Sequence, residues 1–260
     1  MTGVLLITGG ASGIGAETAR RAARRGYKVA INYRSRDAQA MGVAADIAAQ
    51  DGEAIALPGD MANEADIVRL FAETERVFGP VTHLVNSAGI GGQMRVDSYD
   101  AAALTRLFAV NVIGLMLCCR EAAKRMSTRH GGKGGAIVNV SSMSARTGLP
   151  LRLPYVVSKA AVLALTTNLA RELGPDGIRV NAILPGAIRG ARLQRVIDAK
   201  AAALGVDLVA YERDLVRYVS LRTTVEGDDI AAMTAFLISP LARVVTGQLI
   251  AVDGNVEWEA

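Results

Sequence analysis

Short apolar runs alternate along the chain with longer stretches in which apolar residues recur at helical spacing. The runs predict strands at Val4–Thr8, Lys28–Tyr33, Ala54–Leu57, Val81–Asn86, Ala136–Ser141, Arg179–Leu184 and Leu249–Val252. The stretches between them predict helices around residues 14–25, 38–50, 64–77, 100–127, 156–173 and 228–238. The strands are continuously apolar, as parallel strands buried on both faces are. This alternation predicts an α/β fold, a doubly wound parallel sheet of about seven strands with helices on both faces.

One segment interrupts the alternation. Residues 189–226 form an insert rich in arginine and alanine, of helical character, between two predicted strands. Its place after a strand end predicts a small helical lid over the carboxyl edge of the sheet. Since no linker or repeat divides the chain, we expect residues 1–260 to form a single domain.

Composition excludes a disordered chain and gives little support to nucleic-acid binding. Of the 260 residues, 51% are hydrophobic and 21% charged, which is enough apolar surface to offset the entropy of ordering. The net charge is only +4. One basic cluster, Arg20, Arg21, Arg24 and Arg25, could be a nucleic-acid surface, but its spacing on a helix is more typical of a solvated outer face. We therefore expect no nucleic-acid partner.

The cysteines, the histidines and the first ten residues of the chain bear on metal binding and on cellular location. The chain has two histidines and two adjacent cysteines, Cys118 and Cys119, so neither a zinc site nor an ordinary disulfide is expected. The first ten residues contain an apolar run of four and no basic start, unlike a signal peptide. No uninterrupted apolar stretch reaches the roughly 18 residues of a membrane span. These features predict a cytoplasmic protein without a membrane partner.

A glycine-rich turn follows the first strand and opens the first helix. It reads TGGASGIG over residues 8–15, and glycines at such positions permit a tight turn and the close approach of a pyrophosphate. The helix N-terminus adds free N–H groups and a partial positive charge. The turn predicts dinucleotide binding, with a purely structural turn as the alternative. The residues expected to line the phosphates are Gly9, Ser12, Gly13, Ile14 and Gly15.

The end of the second strand indicates which dinucleotide would bind. NAD sites typically place a carboxylate here to bind both ribose hydroxyls. The chain instead reads Asn32-Tyr33-Arg34-Ser35-Arg36, with no acid before Asp37. Arg34, and Arg36 beside it, could face a 2′-phosphate, whereas the alternative is that both are solvated. We therefore favour NADP, with NAD still possible.

Four polar residues form a second constellation. Tyr155 and Lys159 are spaced i and i+4, and so lie on one face of a helix. Ser142 stands at a strand end thirteen residues before Tyr155, and Asn111 lies within the long helix over 100–127.

With these residues in this order, the sequence resembles the short-chain dehydrogenase/reductase family in its single-domain branch. The likeness extends over nearly the whole chain, including members such as 3-oxoacyl-acyl-carrier-protein reductases and sugar or alcohol dehydrogenases. It rests on the turn at 8–15, Asp60, Asn86-Ser87-Ala88-Gly89, Asn111, Ser142, Tyr155, Lys159, Pro185-Gly186 and Val252-Asp253-Gly254. The resemblance implies a Rossmann-type fold and an NAD(P)-dependent oxidoreductase that interconverts a ketone or aldehyde and its alcohol.

The resemblance also implies a role for each residue. Tyr155 would be the general acid and base, and the Lys159 ammonium would favour its phenolate and bind the nicotinamide ribose. Ser142, rather than the competing Ser141, would bind the carbonyl oxygen, and Asn111 would hold a water that links Lys159 to solvent. Further cofactor contacts would come from Asp60, Met61, Asn86, Ala88, Gly89, Pro185, Gly186 and Ile188.

The chain departs from the family pattern at two places that matter. Ser12 replaces the basic residue frequent in NADP enzymes, and Arg189 stands where a threonine commonly contacts the nicotinamide carboxamide. The predicted substrate pocket is mostly apolar, which suits a small or mid-sized carbonyl compound. Its candidates are Met94, Ser144, Arg146, Leu149, Leu151, Arg152, Leu153 and Ile188. Arginines at 189, 192 and 195 also allow an acidic or carrier-bound substrate.

Two further expectations concern partners and activity. The helices around 100–127 and 156–173 carry apolar residues on more than one face, and the family is usually tetrameric through these elements. We expect a homotetramer, with a homodimer as the alternative. A catalytically silent dinucleotide-binding regulatory protein on the same fold is the alternative to an enzyme.

Overall fold

One sheet of seven parallel strands organises the molecule. The computed structural model describes residues 3–190, 193–194, 197–198, 201–202 and 205–256. The strands are β1 Val4–Thr8, β2 Lys28–Tyr33, β3 Ala54–Pro58, β4 His83–Asn86, β5 Gly135–Val140, β6 Ile178–Pro185 and β7 Leu249–Val252. Their order across the sheet is β3-β2-β1-β4-β5-β6-β7. The order reverses between β1 and β4, and ligands bind beyond the carboxyl ends of the strands at such a switch point.

Helices cover both faces of this sheet. They are α1 Gly13–Ala23, α2 Asp37–Ala48, α3 Glu64–Phe78, α4 Ala101–Phe108, α5 Gly114–Met126, α6 Ser144–Thr147, α7 Leu153–Leu173, α8 Leu208–Leu215 and α9 Gly227–Ile238. A π-helical turn, Ala109–Ile113, joins α4 to α5. The predicted fold class, a doubly wound parallel sheet of the Rossmann type, is thus confirmed.

The two-fold alternation of side chains along each strand divides the core between the two faces. On β1, Leu5 and Ile7 pack with one group of buried residues, which includes Ile31 and residues of α1, α2 and α9. Leu6 lies on the opposite face with Phe71 and residues of α3, α5 and α7. Because both faces of the inner strands are covered, most of their residues are apolar.

The bounds of several predicted elements differ from the observed ones by one to three residues, and two differences have a clear structural cause. The fourth strand begins at His83 instead of Val81, because the ladder with β1 starts at that residue, although Val81 is fully buried. The continuous helix predicted over 100–127 is interrupted by the π turn at Ala109–Ile113. An extra residue in one helical turn leaves a backbone carbonyl without its usual partner, and such turns are frequent at functional sites.

Two helical segments pass a simple test for a membrane span. Within the described residues, Ala101–Met126 and Leu153–Asp176 are long and apolar enough to cross a membrane. Neither segment is an uninterrupted apolar run, because polar residues divide them, Asn111 in the first and Ser158 in the second. Since core helices of soluble proteins meet the same criterion, and both segments pack on the sheet, the finding is weak support for a span.

The insert at 189–226 begins and ends at one point of the sheet edge. Ile188 and Val225 form a parallel bridge, and the Val225 N–H donates to the Ala187 carbonyl over 2.9 Å. Arg189 pairs with Glu226 at 3.1 Å across the same junction. Of the described insert residues, Leu208–Leu215 form a helix. Arg192 and Arg195 lie outside the described residues.

Candidate active site

Three glycines shape the turn between β1 and α1, each for a different reason. Gly9 has a φ of +66°, and a Cβ there would lie 2.8 Å from the Ala88 Cα. A Cβ on Gly15 would lie 2.5 Å from the Gly9 carbonyl oxygen, so this glycine closes the helix onto the turn. Gly13 has a φ of +54° and open space where its Cβ would stand. Tight packing beneath the turn and open space above Gly13 are what a bound pyrophosphate requires.

Two side chains that the sequence analysis overlooked hold this turn on the sheet. Thr8 Oγ1 accepts hydrogen bonds of 3.1 Å from the N–H groups of Ser87 and Ala88, which fixes the loop after β4 against the turn. Asn32 Oδ1 accepts from the Gly9 N–H at 3.2 Å, and its amide donates to the Gly59 carbonyl at 2.9 Å. The ends of four strands, β1, β2, β3 and β4, are thereby locked together around the predicted dinucleotide site.

The structure separates the two arginines that follow β2. Arg36 donates a hydrogen bond of 2.6 Å to Ser12 Oγ in the glycine-rich turn. Arg34 is exposed and lies close enough to Asp60 to contribute to lowering the pKa of that carboxyl. Both cations therefore stand at the edge of the predicted dinucleotide site, one beside the turn and one beside the β3 end.

Asp60 is held by a residue that no sequence pattern indicated. Arg106 in α4 reaches both Asp60 carboxylate oxygens, at 2.7 and 2.9 Å, and the Ala62 N–H donates to Oδ1 at 2.9 Å. Burial alone would raise the pKa of the Asp60 carboxyl, but these hydrogen bonds lower it below its ordinary value. The carboxylate is therefore ionised and oriented before any ligand arrives.

Met61 and the loop after β4 complete this side of the site. Met61 is buried, and α5 approaches its carbonyl so closely at Gly114 that a Cβ there would overlap the oxygen. The Asn86 amide donates to Asn139 Oδ1 at 2.9 Å, which ties β4 to β5, and among the described residues Asn86 Oδ1 has no partner. A small cavity beside it is lined by Thr8, Met61, Asn86, Ala88, Val110, Gly114, Leu115 and Cys118.

Lys159 and Tyr155 meet at the carboxyl end of β5. Lys159 is buried, and its ammonium donates a hydrogen bond of 2.8 Å to the Val140 carbonyl. The same nitrogen lies 5.9 Å from the centroid of the Tyr155 ring. A Cβ on Gly89 would stand 3.4 Å from it, so the loop after β4 passes directly over the ammonium. The ammonium and the half-buried Tyr155 ring therefore lie side by side at this end of the sheet.

The two serines after β5 have different surroundings. Ser141 is buried, and its hydroxyl donates to the Lys159 carbonyl at 2.8 Å, so it fastens α7 to the sheet. Ser142 is only half-buried, and its oxygen accepts from Ser144, whose N–H lies at 3.2 Å and whose hydroxyl lies at 2.9 Å. This difference favours Ser142 over Ser141 as the residue that meets a substrate.

Asn111 uses its side chain to clamp the loop after β4. Its amide donates to the Ile90 carbonyl at 2.8 Å and to Ser158 Oγ at 3.0 Å, and its Oδ1 accepts from the Ile90 N–H at 2.8 Å. These three hydrogen bonds hold the Asn111 side chain between the loop after β4 and α7.

Beyond β6, the chain turns towards the site over a fixed base. The Gly186 N–H donates to the Val252 carbonyl at 3.1 Å, and a Cβ on Gly186 would lie 2.8 Å from the Asp253 Cα. Pro185 accepts at 3.1 Å from the Met143 N–H, which joins the end of β6 to the loop that carries Ser142. Ile188 follows, half-buried, at the bridge to Val225.

The predicted substrate residues divide into two groups. The Met94 N–H donates to the Leu151 carbonyl at 2.7 Å, which brings the loop after β4 to the segment before α7. Leu151 has a φ of +65°, which is unusual for a branched side chain and is the kind of strain found at ligand sites. Arg146 instead donates to the Leu249 carbonyl at 3.0 Å, and Arg189 is engaged by Glu226. Each of these two guanidiniums thus directs part of its hydrogen-bonding capacity to another group.

Comparisons with known proteins identify the family to which the chain belongs. A family model described as enoyl-(acyl carrier protein) reductase matches residues 9–256. An uncharacterized oxidoreductase of Escherichia coli K12, YgfF, is 37% identical over 97% of this chain and 99% of its own length. An L-rhamnose 1-dehydrogenase (NAD(P)(+)) of Azotobacter vinelandii is 37% identical over 97% and 95% of the two chains. A solved short-chain dehydrogenase/reductase from Serratia marcescens superposes with a TM-score of 0.84 at 28% identity, covering 97% of each chain. The chain is an oxidoreductase that belongs to the short-chain dehydrogenase/reductase family.

Proposed function

We propose that the protein is an NAD(P)-dependent oxidoreductase that interconverts a ketone or aldehyde and its alcohol, with Tyr155 as general acid and base. The observation that carries the proposal is the buried Lys159 ammonium, anchored to the Val140 carbonyl 5.9 Å from the Tyr155 ring centroid. Such a pair has chemical use where a hydroxyl must give up and regain a proton. A silent regulatory protein would have no need of it.

A dinucleotide fits the residues present. The open face of Gly13, the free N–H groups at the start of α1 and the loop over Lys159 are arranged along one edge of the sheet. When bound there, the nicotinamide would supply a hydride to the carbonyl carbon or take one from the alcohol carbon. The contacts would come from the turn at 8–15, from Asp60 and Met61, from Asn86 to Gly89, and from Pro185 to Ile188.

The side chains would then handle the oxygen and its proton. In reduction, Ser142 would donate a hydrogen bond to the carbonyl oxygen, and Tyr155 would give its hydroxyl proton to that oxygen as the carbon gains the hydride. Lys159 would stabilise the resulting phenolate, which is neutralised again by a proton from solvent. In oxidation the same groups would act in reverse.

The cofactor we propose is NADP in preference to NAD. Arg36 beside Ser12 and Arg34 beside Asp60 offer two guanidiniums to a 2′-phosphate, and no carboxylate lies between the end of β2 and Asp37 to bind the ribose hydroxyls of NAD. Either arginine suits a phosphate, since a guanidinium matches its oxygens in a bidentate manner. NAD would be accepted if neither arginine contacts the ribose.

The substrate and the assembly follow from the surroundings of the site. Because Arg146 and Arg189 are already engaged, we favour a neutral, largely apolar carbonyl compound over an acidic one. The insert at 189–226 would act as the lid.

Exposed apolar residues on the segment from the π turn to α7 support a homotetramer, with a homodimer as the alternative. These residues are Ile113, Met116, Leu153 and Val157. We further propose a cytoplasmic location.

Titration with NADPH and with NADH, followed by nicotinamide fluorescence, tests the cofactor assignment. We expect NADPH to bind more tightly, and Arg34→Ala or Arg36→Ala to weaken NADPH binding by about tenfold while leaving NADH binding unchanged. Arg95→Ala serves as the control, because Arg95 is an exposed arginine paired with Asp97. Equal binding of both cofactors in all variants would contradict the NADP assignment, and no binding of either would contradict the proposed function.

A further inference from the structure

A second serine hydroxyl stands directly behind Ser142. Ser144 begins α6 and is only 4% exposed. Its N–H donates to Ser142 Oγ over 3.2 Å, and its own hydroxyl lies 2.9 Å from the same oxygen. Among the residues that the structure describes, Ser142 is the one hydrogen-bond partner of the Ser144 hydroxyl. Within the described residues, the side chains of the pair are hydrogen-bonded to each other and to no third side chain.

The hydrogen-bonding capacity of a serine hydroxyl makes this arrangement directional. A hydroxyl has one proton to donate and two lone pairs that accept. At Ser142 one lone pair is taken by the Ser144 N–H, and the Ser144 hydroxyl can take the other. With both lone pairs occupied, the only free function of Ser142 is its proton.

We propose that Ser144 is a positioning residue for the reaction, which holds Ser142 as a hydrogen-bond donor to the substrate oxygen. This inference rests on the proposed function, in which Ser142 binds the carbonyl oxygen. The Ser144 hydroxyl donates to Ser142 Oγ, and Ser142 donates to the substrate oxygen, so the two hydrogen bonds point the same way. Aligned hydrogen bonds polarise one another and strengthen the outer one.

The backbone around Ser142 leaves its side-chain torsion as the main freedom. The Met143 N–H is bonded to the Pro185 carbonyl at 3.1 Å, and the Ser141 hydroxyl is bonded to the Lys159 carbonyl at 2.8 Å. With its two neighbours fixed to β6 and α7, Ser142 can still rotate about χ1. Two hydrogen bonds from Ser144 select one rotamer, and removal of the hydroxyl leaves the weaker one, at 3.2 Å.

The test is a double-mutant cycle on carbonyl reduction. Ser144→Ala should lower kcat by about tenfold, the usual effect of losing one hydrogen bond that acts on a reacting group, with NADPH binding unchanged. In the Ser142→Ala background the same change should have less than about a twofold effect, because the partner through which Ser144 acts is gone. Thr147→Val, an exposed hydroxyl in the same helix, serves as the control and should retain full activity.

A second pair of variants keeps the inference testable if Ser144→Ala does not fold. Should Ser144→Ala fail to fold, Ser144→Thr and Ser144→Val compare side chains of equal shape with and without the hydroxyl, and only the threonine variant should keep activity. Equal losses from Ser144→Ala in both backgrounds would make the role structural and overturn the inference, as would no loss in either. Full activity of Ser142→Ala alone would instead overturn the proposed role of Ser142, so the two failures are distinguishable.

Discussion

Stability at mildly acidic pH depends on one histidine far from the candidate active site. His83 begins β4, with its Nδ1 2.8 Å from Thr82 Oγ1 and its ring edge-on to Tyr27 at a centroid distance of 5.0 Å. Burial, together with the nearby Arg179 guanidinium, lowers the pKa of His83 to about 4, against a partial opposing effect of the Ile238 carbonyl. The neutral imidazole is the form that the folded chain accommodates.

The sign and size of the effect follow from linkage. An unfolded histidine has a pKa of about 6.5, so between about pH 6.5 and pH 4 the unfolded chain binds a proton that the folded chain does not. The stability that the neutral ring contributes is fully present above pH 6.5 and is lost as the pH falls through this window. A depression of this size corresponds to a loss of about 3 kcal/mol, with a slope of at most about 1.4 kcal/mol per pH unit.

Urea unfolding of the wild-type protein and of His83→Gln across this pH range measures the effect. Glutamine does not titrate, so the stability difference between the two proteins should shrink by about 3 kcal/mol as the pH falls. His130→Gln is the matched control, because His130 is exposed and is the other histidine of the chain. A stability difference between the two proteins that stays constant with pH would contradict the lowered pKa of His83.

Three further substitutions test the packing around the site. Gly114→Ala should destabilise the fold by about 1–3 kcal/mol and weaken cofactor binding, because the new Cβ displaces the Met61 backbone; thermal melting and cofactor titration measure both. Glu121→Gln should cost about 2 kcal/mol in urea unfolding, because this buried carboxylate balances neighbouring cations, Arg125 at 3.0 Å among them. Asn111→Ala should lose the clamp on the loop after β4, which lowers the melting temperature and raises the KM for the cofactor.

Strand positions and the order of the motifs could be predicted from the sequence because each depends on local pattern. Buried parallel strands require continuous apolar runs, and Gly9, Gly13 and Gly15 are required by backbone angle or close approach, so their spacing carries structural information. The pair Tyr155 and Lys159 is fixed by helical periodicity alone.

The remaining features depend on contacts between distant parts of the chain. Arg106 and Asp60 are 46 residues apart, and no local pattern shows that α4 brings the guanidinium to the end of β3. The π turn around Asn111 likewise arises from packing, because the local sequence is compatible with a regular helix. The sequence offers both Arg34 and Arg36 to a phosphate. Only the fold shows that Arg36 is the one that points towards Ser12.

In the proposed function, Tyr155 transfers the proton in a nicotinamide-dependent reaction. The most direct test is to measure, in Tyr155→Phe, both NADPH binding by fluorescence and the rate of carbonyl-dependent NADPH oxidation. We expect binding within about twofold of wild type and turnover lower by at least about a thousandfold, since the phenylalanine ring keeps the packing but has no proton to transfer. Turnover close to that of the wild type would contradict the role of Tyr155.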